Sequence, residues 1–214
     1  MDEETSIIDS NTRNEKIRNF FIQNKKILII SILVLSVFCA GIYSYQIYRE
    51  SYRESVVNKY YSAVFELQTD NRNQIASSLK EVINEKDSTY SPLALYFIID
   101  NDLIKDKNEI NNFFDILIEK TSLEKEIKNL IIYKKALYNA DQASELELIN
   151  ILKPVTTSDS VWKSHALFLI AEYFYDKNEK KKAKDFFQMI ISTQNANSEI
   201  LINAQKRLNR DLSD

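Results

Sequence analysis

Residues 171–187 read AEYFYDKNEKKKAKDFF, in which a small residue and an aromatic residue precede a run of charge, and a second such pair follows it. Ala171 and Phe174 have the spacing of neighbours on one helix face, and so have Ala183 and Phe187. The polar run between the two pairs is typical of a turn. The stretch therefore predicts two short helices that pack against each other, rather than a loop of converging catalytic groups.

The composition favours helices along the whole chain. One Gly and two Pro in 214 residues are too few for a β-sheet protein with tight turns. A net charge of −3 gives no dominant basic surface for phosphates, so we do not expect nucleic acid as a partner. Cys39 and His165 are single in the sequence, which excludes an intrachain disulfide and leaves no Cys/His set for zinc. We expect an all-α protein of one compact domain, without a metal or a cofactor.

Residues 27–48, ILIISILVLSVFCAGIYSYQIY, form an uncharged apolar run between Lys26 and Arg49. A helix of that length extends about 33 Å at 1.5 Å per residue, which is enough to cross a hydrocarbon core of about 30 Å. We predict a single transmembrane helix. The alternatives are a cleaved signal peptide, which would have a shorter run, and a lipoprotein signal at Cys39, where Phe38 occupies a position that should be small.

Basic residues are more frequent before this run than after it. Because Lys and Arg accumulate on the cytoplasmic side of a span, we expect the N-terminus in the cytoplasm and, in a bacterium, the C-terminal region in the periplasm. The residues that decide this are Arg13, Lys16, Arg18, Lys25 and Lys26 before the run, and Arg49, Arg53 and Lys59 after it. The predicted organisation is a cytoplasmic tail with a short amphipathic helix at 1–26, whose first dozen residues are mobile, the span at 27–48, and a periplasmic helical domain at 49–214.

Polar clusters divide the region after the span into runs of helical periodicity. They lie at 69–73, 84–89, 105–108 and 156–160, and Pro154 is expected to end a helix. Helix pairs that cannot bury their apolar faces alone are stable when they stack with a period of about 34 residues. A unit starting at Ser164 fits this tetratricopeptide pattern, whereas units starting at Ser91 and near Asn129 fit it less well. Its packing positions are Leu167, Ile170, Ala171, Phe174, Ala183, Phe187 and Ile190.

The order of these features resembles that of the YfgM-like family. The resemblance is carried by EKIRNFFIQNKKILIISILVLSVFCAGIYSYQIY, VVNKYYSAV, LKPVTTSDSVWKSHALFLIAEYFYDKNEKKKAKDFFQMI and NAQKRL, and it extends from about Asn14 to Leu208. Members of that family are single-pass bacterial inner-membrane proteins with a periplasmic tetratricopeptide-like domain, and they are ancillary subunits of the SecYEG translocon. The resemblance implies that fold, and it implies translocon subunits, periplasmic chaperones or secretory chains as partners.

The sequence contains no pattern typical of a catalytic site. His165 has no Ser, Cys or paired carboxylate at a definable spacing. The carboxylates alternate with Lys, as they do on solvated helix faces. The single Gly41 lies inside the predicted span, so no Gly-rich phosphate loop is present. We therefore expect no enzymatic activity and no small-molecule substrate.

One face of the predicted repeats combines aromatic and polar side chains, a combination that suits an extended or helical segment of a partner protein. Its residues are Tyr133, Leu137, His165, Phe168, Glu172 and Tyr175, referred to below as the predicted groove residues. The alternative is that their aromatic rings pack against a neighbouring repeat. The lysine run at 177–184 is expected to be a solvated turn, with anionic lipid or an acidic partner as the alternative.

The sequence as a whole predicts a non-enzymatic, membrane-tethered protein-interaction module. Together with the resemblance, it indicates an ancillary factor of the SecYEG translocon and the periplasmic chaperone network. Two alternatives remain open: a scaffold for envelope assembly or cell division, and a membrane-anchored enzyme or regulator of an enzyme.

Overall fold

The computed structural model describes residues 15–66 and 71–212, and every regular element in these two ranges is helical. The prediction of an all-α protein is confirmed. The mobile tail predicted for the first dozen residues lies outside the described ranges. The chain divides into two compact units, Met1–Ser55 and Val56–Asp214, whereas the sequence predicted a boundary between residues 48 and 49. Each unit is described by itself.

The first unit contains a short helix and most of a long one. Helix α1 spans residues 15–23, and helix α2 spans Lys25–Phe65, continuing past the end of this unit. The side chains from Ile29 to Tyr48 are exposed. The helix is long and apolar enough to cross a membrane, in agreement with the predicted span. Lipid is the environment that would cover an exposed apolar surface of this length.

The second unit consists of the end of α2 and a series of shorter helices. A π-helical segment, Ile116–Lys120, directly continues α5. The α-helices are α3 (Arg72–Asn84), α4 (Tyr90–Asp100), α5 (Lys107–Asp115), α6 (Lys125–Asn139), α7 (Glu145–Thr156), α8 (Lys163–Asp176), α9 (Lys180–Ile191) and α10 (Ser198–Asp211).

Several helices in this glycine-poor chain are followed by a residue in the left-handed conformation that glycine usually occupies. Asn178 follows α8 with φ of 59°, and Asp102 follows α4 with φ of 49°. The Asn178 amide donates to the Tyr175 carbonyl at 2.9 Å, and the next amide, from Glu179, donates to the Phe174 carbonyl at 2.8 Å. These two bonds form a Schellman motif, which satisfies carbonyls left free at the end of a helix. The predicted turn in the 171–187 stretch is therefore a helix C-cap.

Pro154 does not end a helix, so that prediction was wrong. It lies inside α7, which continues to Thr156, and the Thr157 amide still donates to the Lys153 carbonyl at 3.1 Å. A proline within the last turn removes one amide donor. The bonds that follow it are unaffected, so α7 continues for two residues beyond the proline.

Buried side chains form two apolar clusters that share helix α6. Ile131 belongs to the cluster built by the end of α2 with α3, α4, α5 and the π-helical segment. Its neighbour Ile132 belongs to the cluster built by α7, α8, α9 and α10. From α3 onwards, consecutive helices pack against each other, and α8 also contacts α6 and α10 directly.

Candidate partner-binding face

The predicted groove residues lie on two helices that are in contact, α6 and α8. Leu137 is the most exposed of them, with 52% of its surface accessible. Tyr133, His165, Phe168, Glu172 and Tyr175 are half-buried. Their surroundings differ from one end of the face to the other, and three groups can be distinguished.

Tyr133 and His165 meet in an aromatic group with a third ring, Trp162. The Tyr133 and Trp162 rings stack with centroids 5.9 Å apart. The His165 ring lies 5.1 Å from Trp162 and 6.0 Å from Tyr133. Trp162 was not among the predicted groove residues, although it is the single tryptophan and stands three positions before His165. This aromatic group joins α6 to the start of α8.

The first turn of α6 holds the loop that carries Trp162. The Glu126 carboxylate accepts hydrogen bonds from the Ser160 hydroxyl at 2.7 Å and from the Val161 amide at 3.2 Å. The Lys125 ammonium group donates to the Asp159 carbonyl at 2.6 Å. Charged groups of α6 thus fix the α7–α8 loop, and with it the position of the Trp162 ring.

His165 is buried in a way that disfavours its charged form. Its Nδ1 atom is buried and has no hydrogen-bond partner within the described residues. Burial lowers the pKa of His165, against smaller opposing effects of the Val161 backbone and the Glu199 carboxylate. Burial also raises the pKa of the Tyr133 phenol. Both rings therefore remain neutral at pH 7.

Glu172 and Tyr175 face the chain's own last helix, α10. The Arg207 guanidinium donates from Nε to Glu172 Oε1 at 2.8 Å and makes a second bond to the other carboxylate oxygen. The same group lies 4.6 Å above the Tyr175 ring and donates to Asp211 at 3.0 Å. At this end of the face, the alternative of packing against a neighbouring helix describes the contacts better than an open groove.

Phe168 connects the face to the buried core. Its ring packs edge-to-face on the fully buried Phe187, with centroids 5.5 Å apart. Phe187, like the other six residues predicted to pack the repeat, is buried. The half-buried side of Phe168 thus rests on α9, and only its outer edge remains for a partner.

Further exposed apolar side chains lie on α6 and on α4. Ile127 on α6 and Leu93 on α4 are each 41% exposed. The Lys134 ammonium group lies 4.4 Å from the centroid of the Tyr96 ring, and this contact connects α6 with α4. Leu93 and Ile127 were not among the predicted groove residues, because an exposed leucine or isoleucine is ordinary until its neighbours in space are known.

Two lysines of the run at 177–184 contact neighbouring side chains. Lys182 pairs with Glu145 on α7 at 2.7 Å and with Glu179 at 2.8 Å, and it lies 4.8 Å from the Phe174 ring centroid. Lys177 lies 5.5 Å from the Tyr173 ring centroid. These contacts assign the two lysines to packing and to solvent-facing ion pairs.

Within the described ranges, no group of three or more His, Cys, Asp or Glu side chains is arranged to hold a metal ion. A cavity of about 430 Å³ lies between the α7–α8 and α9–α10 loops, lined by polar residues that include Glu126, Asp159 and Lys163.

Comparisons of the chain with protein-family models, with curated proteins and with solved structures find no match. The resemblance to the YfgM-like family and the absence of enzymatic activity therefore stay predictions.

The contacts of Arg207 lead to a stability prediction. We expect Arg207→Ala to lower the free energy of unfolding by about 1–2 kcal/mol, because it leaves Glu172 without its charged partner. Urea unfolding of the detergent-solubilised chain measures the change, and Lys206→Ala, an exposed neighbour on α10, is the control.

Arg210 and Arg207 hold the pKa of Asp211 at about 2. The stabilising effect of the ionised Asp211 carboxylate is therefore present above its ordinary pKa, near 3.9, and is lost as the pH falls through about 2. Equal unfolding midpoints for Arg207→Ala and Lys206→Ala would contradict the predicted loss of stability.

Proposed function

We propose that this protein is a membrane-anchored adaptor that binds a segment of another protein on the face formed by α4, α6 and α8. The observation that carries the proposal is the exposed Leu137 on α6 beside the aromatic group of Tyr133 and Trp162, with further exposed apolar side chains, Ile127 and Leu93, on α6 and α4. Interface centres are enriched in aromatic and large apolar residues, and few charged residues lie there. In this role the chain contributes binding rather than chemistry.

The spacing of buried residues supports a tetratricopeptide-like repeat. Ile132 and Ala136 on α6 correspond to Leu167 and Ala171 on α8, each 35 residues further on, and all four are buried. The helix pairs α6–α7 and α8–α9 pack internally, while α6 contacts α8. In stacked helix pairs, the first helices of successive units line one continuous surface. By this argument α4, α6 and α8 form the inner surface, and α10 closes its end.

The anchor would raise the effective concentration of the adaptor towards partners at the membrane. The excess of basic residues before the span supports an N-terminus in the cytoplasm and a helical unit in the periplasm of a bacterium. The resemblance to the YfgM-like family supports translocon subunits, periplasmic chaperones or emerging secretory chains as partners. An apolar segment of a secretory chain would suit a face that combines Leu137 with aromatic rings.

Photo-crosslinking in intact membranes tests the proposal. A photoreactive residue in place of Leu137 should capture partner proteins, whereas the same residue in place of Leu146 should not. Leu146 is 69% exposed on α7 and serves as a matched control outside the face. Leu137→Asp should weaken the interaction by about tenfold or more, because a charge would be buried without a partner.

The identity of the captured proteins decides between partners. Translocon subunits, chaperones or secretory chains support the assignment made above. Recovery of only division or outer-membrane assembly proteins would support the adaptor role but would overturn the translocon as its partner. Equal capture from Leu137 and Leu146, or none from Leu137, would overturn the adaptor itself.

A further inference from the structure

The single histidine and the single tryptophan of this chain are in contact. The His165 and Trp162 rings lie 5.1 Å apart, and Tyr133 of α6 touches both. These contacts join α6 to the start of α8, beside the exposed Leu137. The one side chain whose ordinary pKa lies near neutrality is therefore placed where two helices of the proposed binding face meet.

We propose that His165 is an acid-sensitive latch: when its imidazole gains a proton, the aromatic group of Tyr133, Trp162 and His165 opens. The latch stands on the contacts of His165 alone. Its consequence, a change in partner binding as the pH falls, rests on the proposed function.

The physical reason is that a half-buried imidazole whose Nδ1 atom is buried without a partner cannot easily become an imidazolium. The charged ring donates from both nitrogens, but Nδ1 is buried and lacks an acceptor within the described residues. A buried donor without an acceptor is costly, and water satisfies it if the ring moves outwards. Protonation therefore favours an arrangement in which His165 leaves Trp162 and Tyr133.

Charged and titratable groups lie on the elements next to His165. The backbone of Val161 and the carboxylate of Glu199 in the first turn of α10 favour the proton, whereas burial opposes it more strongly. The other groups on the adjoining segments are Tyr133 and Glu126 of α6, Asp159 of the α7–α8 loop, and Lys163 of α8 itself.

The sign of the pH dependence follows from this balance. Since burial holds the pKa of His165 below its ordinary value near 6.5, the latch is fully stable above pH 6.5. It loses stability as the pH falls below that value.

Trp162 fluorescence tests the latch without interference, because no other tryptophan contributes. The full chain, in lipid nanodiscs and without a histidine tag, is titrated from about pH 8 to about pH 5, the range over which imidazole titrates. The expected result is a shift of the emission to longer wavelength, with a midpoint below 6.5, as Trp162 becomes solvated. Acrylamide should then quench it more strongly.

Two variants make the result decisive. His165→Phe keeps an aromatic ring but has no titrating group, so its emission should not change over the same range. His165→Gln should also remain flat, and it covers the case in which the phenylalanine variant fails to fold. An unshifted wild-type emission, or an equal shift in a folded variant, would overturn the latch.

Crosslinking from position 137 at about pH 7.5 and about pH 5.5, on either side of the ordinary imidazole pKa, separates the latch from the adaptor. A fluorescence shift without capture at either pH would leave the latch standing and overturn the proposed function. Capture that differs between the two pH values, and only when His165 is present, supports regulation of the face. Equal capture despite a fluorescence shift would overturn that regulation.

Discussion

Leu33→Lys combined with Leu35→Lys is expected to prevent helix α2 from integrating into a membrane. Both leucines are exposed in the apolar part of the helix, near the middle of the predicted span. A lysine at the centre of a transmembrane helix costs about 2.5–3.5 kcal/mol on the insertion scale, so two cost about 5–7 kcal/mol, more than a thousandfold in the equilibrium. Extraction of membranes at alkaline pH, followed by detection of the chain in the soluble fraction, measures the effect.

A matched control places the same charges elsewhere on the same helix. Ser51→Lys combined with Ser55→Lys changes two exposed residues beyond the predicted span, where lysine meets headgroups or water. This variant should remain in the membrane fraction like the wild-type chain. If the Leu33 and Leu35 variant also resists extraction, then α2 does not cross the bilayer, and the proposed anchor is wrong.

Phe187→Ala is expected to cause a large loss of stability from a single core position. Phe187 is fully buried on α9 and contacts Phe168 of the candidate face. Truncation of a buried phenylalanine costs about 3–5 kcal/mol, because apolar burial is lost and a cavity remains. A folded unit of this size has about 5–15 kcal/mol in total. Urea unfolding of the chain in detergent, followed by Trp162 fluorescence, should therefore show a much lower midpoint.

The control for this change lies two residues away. Met189 is also on α9 but is 46% exposed, so Met189→Ala should change the free energy of unfolding far less than Phe187→Ala. Similar losses for the two variants would mean that α9 does not pack through Phe187, and they would remove the basis for the α8–α9 pair as a packed hairpin.

Much of the fold could be predicted from residues whose pattern is local. The uncharged run at 27–48 predicts α2, and the small and aromatic pairs at 171–187 predict the α8–α9 hairpin. The break between α6 and α7 was missed, although the sequence carries a signal for it. Ser144 and Glu147 form a capping box, in which the Ser144 hydroxyl accepts from the Glu147 amide and the Glu147 carboxylate accepts from the Ser144 amide. The π-helical segment that follows α5 has no such signature.

The candidate face was predictable only in part, because its contacts join residues far apart in the chain. Tyr133 and His165 could be placed on neighbouring helices by periodicity. That Trp162 lies between them depends on how Glu126 holds a loop 34 residues away. Likewise Glu172 was assigned to a partner, whereas Arg207, 35 residues later, binds it. Helical spacing gives the face on which a residue lies, but it does not say which distant side chain covers that face.

Helix α6 is shared by the two apolar clusters of the second unit, and this determines how the unit responds to a pulling force. Ile131 and Ile132 are consecutive residues, yet each is buried in a different apolar cluster. Any bending between the two halves would pull one of them out of its surroundings. A bound segment that pulls on Leu137, one and a half turns further along the same helix, would therefore strain both apolar clusters together. We expect the unit to unfold under force in a single step.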